Sequence, residues 1–244
     1  MPQNIRLNVF LSRCGICSRR EADQFISEGR VSVNGNITTV LGTKVILGKD
    51  KVKVDGIPIK LPRKHSYFIL NKPTGVVTTL KDPKKRRDIG MFIKEIGIRL
   101  YPIGRLDYNS EGLLILTDDG ELAHRIQHPR YKIQKEYLVT VDKPLSTSDI
   151  ANIRKGIELD DGFLKVLSIK KVVGAKPDPS YKIIITEGRN RIIRRLFEKL
   201  GFKIVRLERI SIGGIRIGKL KVGAWRKLRA EEIVRIKKLA NLNR

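Results

Sequence analysis

Cysteine is scarce: the 244 residues hold two, Cys14 and Cys17. Two thiols in a C-x-x-C spacing exclude a disulfide framework. That spacing raises zinc, with His124 and His128 as an H-x-x-x-H partner. A zinc finger, however, sets its two pairs roughly a dozen residues apart. These two pairs stand far apart in different segments, so small core residues and surface histidines are expected, and no metal. Long apolar runs are missing as well. None approaches the roughly 18 residues of a membrane-spanning helix. Met1 to Leu7 carries no apolar signal-peptide core. The expectation is a cytoplasmic protein without membrane contact.

Acidic charge is also short. Lys and Arg number 51 against 25 Asp and Glu, a formal charge of +26. Such a surplus repels itself, and a polyanion relieves it. The hydrophobic share of 41% still suffices for a core, which excludes a disordered basic tail. Basic residues lie in both halves. Residues 1–64 carry +7 and residues 65–244 carry +19, of which residues 189–244 hold +14. Two basic surfaces suit one long anionic ligand.

Local patterns divide the chain. Ser18-Arg19-Arg20-Glu21 fits a capping box, which predicts a helix with Ala22, Phe25 and Ile26 on its apolar stripe and Gly29 as its stop. Val9, Phe10 and Leu11 predict a shorter helix that Gly15 ends. Val31 and Val33 alternate with polar residues before the turn Asn34-Gly35, and Val52 and Val54 lead into Asp55-Gly56. Leu61 to His65 reads as a linker. Beyond it come short strand-like runs at Tyr67–Leu70, Leu113–Leu116, Tyr137–Val141 and Tyr181–Ile185. Helical patterns cover Ile89–Ile96, Glu121–Gln127, Thr147–Lys155, Arg191–Leu200 and Ala230–Leu239. The sum is an α+β chain: a small N-terminal domain over residues 1–62, then a mixed, mainly antiparallel-sheet domain over residues 63–244.

In the first domain Arg6, Arg13, Arg19, Arg20 and Arg30 gather on or beside the two helices. On charge alone, a solvated face and a phosphate-gripping face weigh evenly. The ordered pieces Arg6-Leu7, Leu11-Ser12, Gly15, Ser18-Arg19-Arg20, Glu28-Gly29-Arg30-Val31 and Val33-Asn34-Gly35 resemble the S4 RNA-binding module. That resemblance implies contacts to structured RNA from Arg6, Arg19, Arg20 and Arg30.

In the second domain Gly104-Arg105-Leu106-Asp107-Tyr108-Asn109-Ser110-Glu111-Gly112 is a polar loop running straight into an apolar strand. It puts the Asp107 carboxylate at the rim of a sheet. An aspartate in such a loop is most often a turn or capping residue. The segment resembles the G-R-L-D motif of the RsuA/RluB/RluE/RluF pseudouridine synthases. Companion motifs stand in order: Asn71-Lys72-Pro73-Thr74-Gly75-Val76, Lys135-Glu136-Tyr137-Leu138-Val139, Glu187 to Phe197, and Val205-Arg206-Leu207-Glu208-Arg209-Ile210. With the S4-like part, the resemblance spans nearly the whole chain.

The resemblance implies isomerisation of uridine to pseudouridine in ribosomal RNA, with no cofactor. It makes Asp107 the ionised nucleophile or the group that handles a ribose proton. It makes Arg194 the cation paired with Asp107, Tyr137 the ring that faces the base, and Leu207 an apolar wall. Arg105 is expected to hold a phosphate or the extruded nucleotide. Without the family, Tyr137 and Leu207 are routine strand residues and Arg194 a helix surface charge. Lys84-Lys85-Arg86-Arg87 is either an RNA-embracing loop or a solvated one. Many relatives have His-Gln where this chain has Arg191-Ile192, and some have Asn-Thr at Asn109-Ser110. The first departure resembles the RluB branch, which favours 23S over 16S RNA; a monomer is expected. The competing readings are a non-catalytic S4-type ribosome-assembly protein, a 16S RNA synthase of the RsuA type, and an RNA methyltransferase. The last lacks a G-x-G-x-x-G turn in a strand–helix context.

Overall fold

The computed structural model describes residues 4–62, 64–174 and 179–242. The chain divides into two compact units, one ending at His65 and the other beginning at Ser66.

The first unit runs β1 (Asn4–Arg6), α1 (Leu7–Arg13), α2 (Arg19–Ser27), β2 (Val31–Val33), β3 (Asn36–Ile37), β4 (Lys44–Ile46), β5 (Val52–Val54) and β6 (Ile57–Ile59). The Ser18 side chain accepts from the Glu21 N–H, and Glu21 accepts from the Ser18 N–H, so the capping box starts α2 as its spacing predicts. Ala22 and Ile26, one turn apart, face a core with Leu7, Phe10, Leu11, Val31, Val45, Val52 and Val54. Asn34 and Gly35 both take positive φ (53° and 93°), as do Asp55 and Gly56 (50° and 79°). These are the two-residue turns that join antiparallel strands. They close β2 on β3 and β5 on β6 in a sheet ordered β3-β2-β5-β6, while β1 pairs with β4. Cys17 belongs to this core and Cys14 packs against it. Burial, with Cys17 beside it, pushes the Cys14 thiol up to about 12.

The second unit continues with β7 (Tyr67–Lys72), α3 (Gly90–Ile96), β8 (Tyr101–Pro102), β9 (Glu111–Thr117), α4 (Gly120–Gln127), β10 (Lys135–Val141), α5 (Thr147–Lys155), β11 (Ile157–Leu159), β12 (Gly162–Leu164) and β13 (Ser168–Lys171). It ends with β14 (Ser180–Ile185), α6 (Ile192–Lys199), β15 (Ile204–Ile212), β16 (Ile215–Arg216), β17 (Trp225–Lys227) and α7 (Ala230–Leu239). One sheet in the order β13-β14-β10-β15-β9-β7-β17 forms its spine. All of these neighbours are antiparallel except β15 and β9. β7 is buried at every position. Tyr67 and Ile69 face one cluster, with Leu122, Ile126 and Ile236 from α4 and α7. Phe68 and Leu70 face another, with Phe92 of α3. A strand covered on both faces loses the apolar–polar alternation of a one-sided sheet. The other half of the sheet packs Val139, Tyr181 and Ile183 against Ile153 of α5 and Leu196 and Phe197 of α6.

The two halves meet at the parallel junction, where Arg209 pairs with Gly112. Gly112 has φ +104°, and a Cβ there would lie 2.4 Å from the Arg209 carbonyl oxygen. Only glycine lets the strands approach this closely. The sheet junction and the loop that precedes Gly112 therefore share one steric requirement.

Candidate active site

The loop entering β9 is tied down from three sides. Thr78 Oγ1 donates to the Leu106 carbonyl at 2.6 Å and accepts from the Leu106 N–H at 3.2 Å. The Gly75 N–H donates to the Tyr108 carbonyl at 2.9 Å, and the Ser110 N–H closes a turn on the Asp107 carbonyl at 3.0 Å. Beneath them lies Lys72, fully buried, with Nζ donating to the Pro73 and Val76 carbonyls at 2.8 Å each. Burial drives the Lys72 amine down to about 8, and the charges of Asp107 and Glu111 oppose that drop. The segment from Lys72 to Thr78 is thus the bracket that holds the aspartate loop in place, with Gly75 and Thr78 making the contacts.

The loop's tip opens onto a cavity of about 360 Å³. Asp107, Arg105, Tyr137 and Leu207 all line it, together with Lys135, Arg189, Asn190, Arg191 and Arg209. Strand geometry explains part of the set. Tyr137 on β10 lies opposite Arg209 on β15, and Val139 opposite Leu207, so alternate residues of both strands present one face.

Arg194 departs from its expected place. Its guanidinium makes no ion pair with Asp107. Nη2 donates to the Asn109 carbonyl at 2.8 Å and reaches Ser110 Oγ at 3.4 Å, while Nε is buried without an acceptor. Burial and neighbouring Arg191 lower the Arg194 pKa, and the Asp107 charge pulls it back. The expected direct pair is therefore corrected to a clamp on the two residues after Tyr108, with Asp107 acting through space. The cause is register: α6 aims Arg194 at the loop backbone. Asp107 sits in the field of two cations, Lys72 and Arg194, each anchored to backbone oxygens.

The rest of the basic motif is structural. Arg189 pairs with Glu187 at 2.6 Å and Asp161 at 2.7 Å and donates to the Gly162 and Phe163 carbonyls. Arg195 pairs with the other oxygen of Asp161 at 2.8 Å. Together they fasten the β11–β12 hairpin to α6. Arg86 of the basic loop pairs with Asp82 at 2.8 Å, leaving Lys84, Lys85 and Arg87 exposed.

Sequence reasoning missed three buried cations: Lys72, Lys135 and Arg209. Lys135 donates to the Ile133 and Thr186 carbonyls. Burial first, then the Arg209 charge, brings its amine down to about 8, against the pull of Glu187. A signal was present. Lys135 shares the face of Tyr137 and Val139, and Arg209 that of Leu207, so each charge occupies a position that alternation reserves for apolar side chains.

In the first unit Arg6, Arg19 and Arg20 are exposed and make no ion pair among the described residues. Arg30 is engaged: it pairs with Asp55 at 2.6 Å and lies 3.9 Å from the centroid of the Phe25 ring. Its charge is already answered, which sets it apart from the other three.

Residues 66–199 match the family described as RNA pseudouridylate synthase, and residues 5–50 match the S4 domain. An uncharacterized RNA pseudouridine synthase of Aquifex aeolicus is 46% identical over 98% of this chain and 96% of its own. The ribosomal large subunit pseudouridine synthase B of Bacillus subtilis is 38% identical over 97% of both chains. A solved structure described as a pseudouridylate synthase superposes with a TM-score of 0.67 at 31% identity, covering 95% of this chain and 99% of that one.

Proposed function

Because the chain belongs to the RNA pseudouridylate synthase family, we propose that it converts uridine to pseudouridine in ribosomal RNA at the cavity beside Asp107. The base is cut from its ribose at N1, turned, and rejoined through C5, so no atom is gained or lost and no cofactor is required. The observation that carries this reading is the convergence of Asp107, Tyr137, Leu207 and Arg105 on one cavity. Asp107, held by the bracket from Lys72 to Thr78, meets the ribose as nucleophile or as acceptor of a ribose proton. Tyr137 faces the extruded base and Leu207 walls it in. Arg105, exposed at the rim, takes a phosphate of the target strand. Extrusion costs a few kcal/mol, which phosphate contacts offset. Arg194 is a positioning residue, since it holds the Asn109 carbonyl and reaches the Ser110 hydroxyl rather than the substrate.

The S4 part, residues 1–62, grips the RNA through Arg6, Arg19 and Arg20. Arg30 contributes less because Asp55 shares its charge. The name of the B. subtilis relative and the Asn190-Arg191-Ile192 sequence support large-subunit RNA as the target. The reading includes a monomer acting in the cytoplasm; no helix among the described residues is long and apolar enough to cross a membrane.

Mapping pseudouridines in ribosomal RNA from cells lacking this protein tests the proposal. The expected result is loss of modification in the large-subunit RNA, restored by the intact gene and not by an Asp107→Ala version. An unchanged map contradicts it.

A further inference from the structure

β15 places Arg209 beside Leu207 on the cavity wall, directly across from Tyr137. None of the chemistry above uses it. Its side chain is 3% exposed. A guanidinium brings five N–H donors and a permanent charge. Of these donors, Nε reaches the Leu113 carbonyl at 2.8 Å. Nη2 is buried and finds no acceptor among the described residues. Among the described residues no carboxylate pairs with the group. Arg209 repels two further buried cations, Lys135 and Lys72, which also feel the opposing charges of Glu187 and of Asp107 and Glu111. A buried charge with the Nη2 donors unanswered is unfavourable unless something supplies acceptors. The cavity it lines is where an acceptor enters.

We propose, resting on the uridine-isomerase reading, that Arg209 is a catalytic residue. It donates to a carbonyl oxygen of the extruded uracil and holds the negative charge that the base acquires on leaving the sugar. Residues directly opposed on antiparallel strands stand side by side. A pyrimidine laid on the Tyr137 ring therefore brings its carbonyl edge to the neighbouring guanidinium. When the N1–C1′ bond breaks, its electron pair stays with the base, and the charge spreads over N1, O2 and O4. The electron-poor C1′ is met by the Asp107 carboxylate, or the C2′ proton passes to Asp107 and returns when C1′ bonds to C5. As C1′ bonds to C5, any ester bond between C1′ and Asp107 breaks; the C5 proton then passes to solvent and N1 takes up a proton, so no atom is gained or lost. A fixed cation at O2 or O4 binds the anion more strongly than the neutral base, so it lowers the barrier more than it tightens binding.

The test uses large-subunit RNA transcripts made with uridine, 2-thiouridine or 4-thiouridine throughout, and single-turnover rates for the wild type, Arg209→Met and Arg209→Lys. Sulfur is the weaker acceptor. The wild type is expected to react more slowly with one thio transcript than with the uridine transcript. Arg209→Met is expected to lose roughly tenfold to a hundredfold in rate on uridine, the range set by a hydrogen bond to a charged group. In that variant the thio-to-uridine ratio is expected to move toward one. Comparing ratios on the same RNA cancels any effect of sulfur on RNA structure. Arg209→Lys keeps a cation but loses the fork, so its ratio is expected to differ from the wild-type ratio even if Arg209→Met does not fold. Thio-to-uridine ratios identical in wild type and variants overturn the proposal while leaving the isomerase reading standing. A wild type inactive on uridine transcripts of both ribosomal RNAs overturns both.

Discussion

The two units use the same kind of residue in opposite ways. In the first, Arg6, Arg19 and Arg20 stand in solvent. In the second, Lys72, Lys135 and Arg209 are buried around the aspartate loop and cavity. An exposed cation acts through a field that salt screens within roughly 10 Å, so it concentrates and orients a polyanion but positions nothing finely. A buried cation is held by named oxygens and feels a lower dielectric, so it fixes geometry and is nearly indifferent to salt. A net charge of +26 therefore conceals two functions, attraction outside and organisation inside.

The sharpest break in that contrast is Arg194→Ala. It removes the clamp on Asn109 and Ser110. The expected loss in kcat is about a hundredfold, typical of a misplaced reacting group. RNA affinity, read by filter binding, is expected to hold within about twofold, and Arg194→Lys to recover part of the rate. Equal losses in rate and affinity instead place Arg194 on the RNA-binding side of the comparison.

Next in size is Lys72→Met. It leaves the Pro73 and Val76 carbonyls without their donor. Denaturant unfolding is expected to show a loss of about 2–4 kcal/mol. A variant as stable as the wild type contradicts the bracket role. For the outer cations, the combined change of Arg6, Arg19 and Arg20 to Gln is expected to reduce the slope of log K against log salt by roughly 2–3. The maximal rate at saturating RNA stays unchanged. A fall in that rate blurs the division between the units.

The smallest effect is a pH dependence. Lys72 and Lys135 each fall from 10.5 to about 8 through burial. Below about pH 8 both folded and unfolded chains hold these protons, and the burial penalty is felt in full. Between about pH 8 and 10.5 the folded protein has released them while the unfolded chain retains them. Stability therefore rises with pH across that window, by at most about 1.4 kcal/mol per unit for each group. Lys135→Met is expected to flatten the rise relative to the wild type in matched unfolding curves. Parallel curves contradict the assignment.

What was legible in the sequence was local. Ser18 and Glu21 announce α2 because a capping box is closed within four residues. Asn34-Gly35 and Asp55-Gly56 announce hairpins because positive φ is a property of the turn itself. The short apolar runs fell in β7, β9, β10 and β14. Three-residue strands such as β1, β11 and β12 carry no such run, and β1 pairs with β4, far along the chain. The strand order was equally hidden. Gly112 looked like one more loop glycine until Arg209 was seen crossing it.

For the site, motif order drew Asp107, Tyr137, Leu207 and Arg105 together, and the fold sets them on one cavity. The partner of each cation was not legible. Arg30 turned to Asp55 and Arg194 to the Asn109 carbonyl because side-chain reach across elements depends on packing, which no spacing along the chain records. Lys135 and Arg209 were visible as letters within motifs, but their burial follows from the face they share with Tyr137.

The most direct measurement is single-turnover pseudouridine formation by Asp107→Asn on large-subunit RNA transcripts, with affinity measured in parallel. The amide keeps the size of the side chain and removes its charge. The expected result is no detectable product with RNA binding intact. Product formed at the wild-type rate contradicts the account at its base, because the bracket, the clamp and the cavity all converge on that carboxylate.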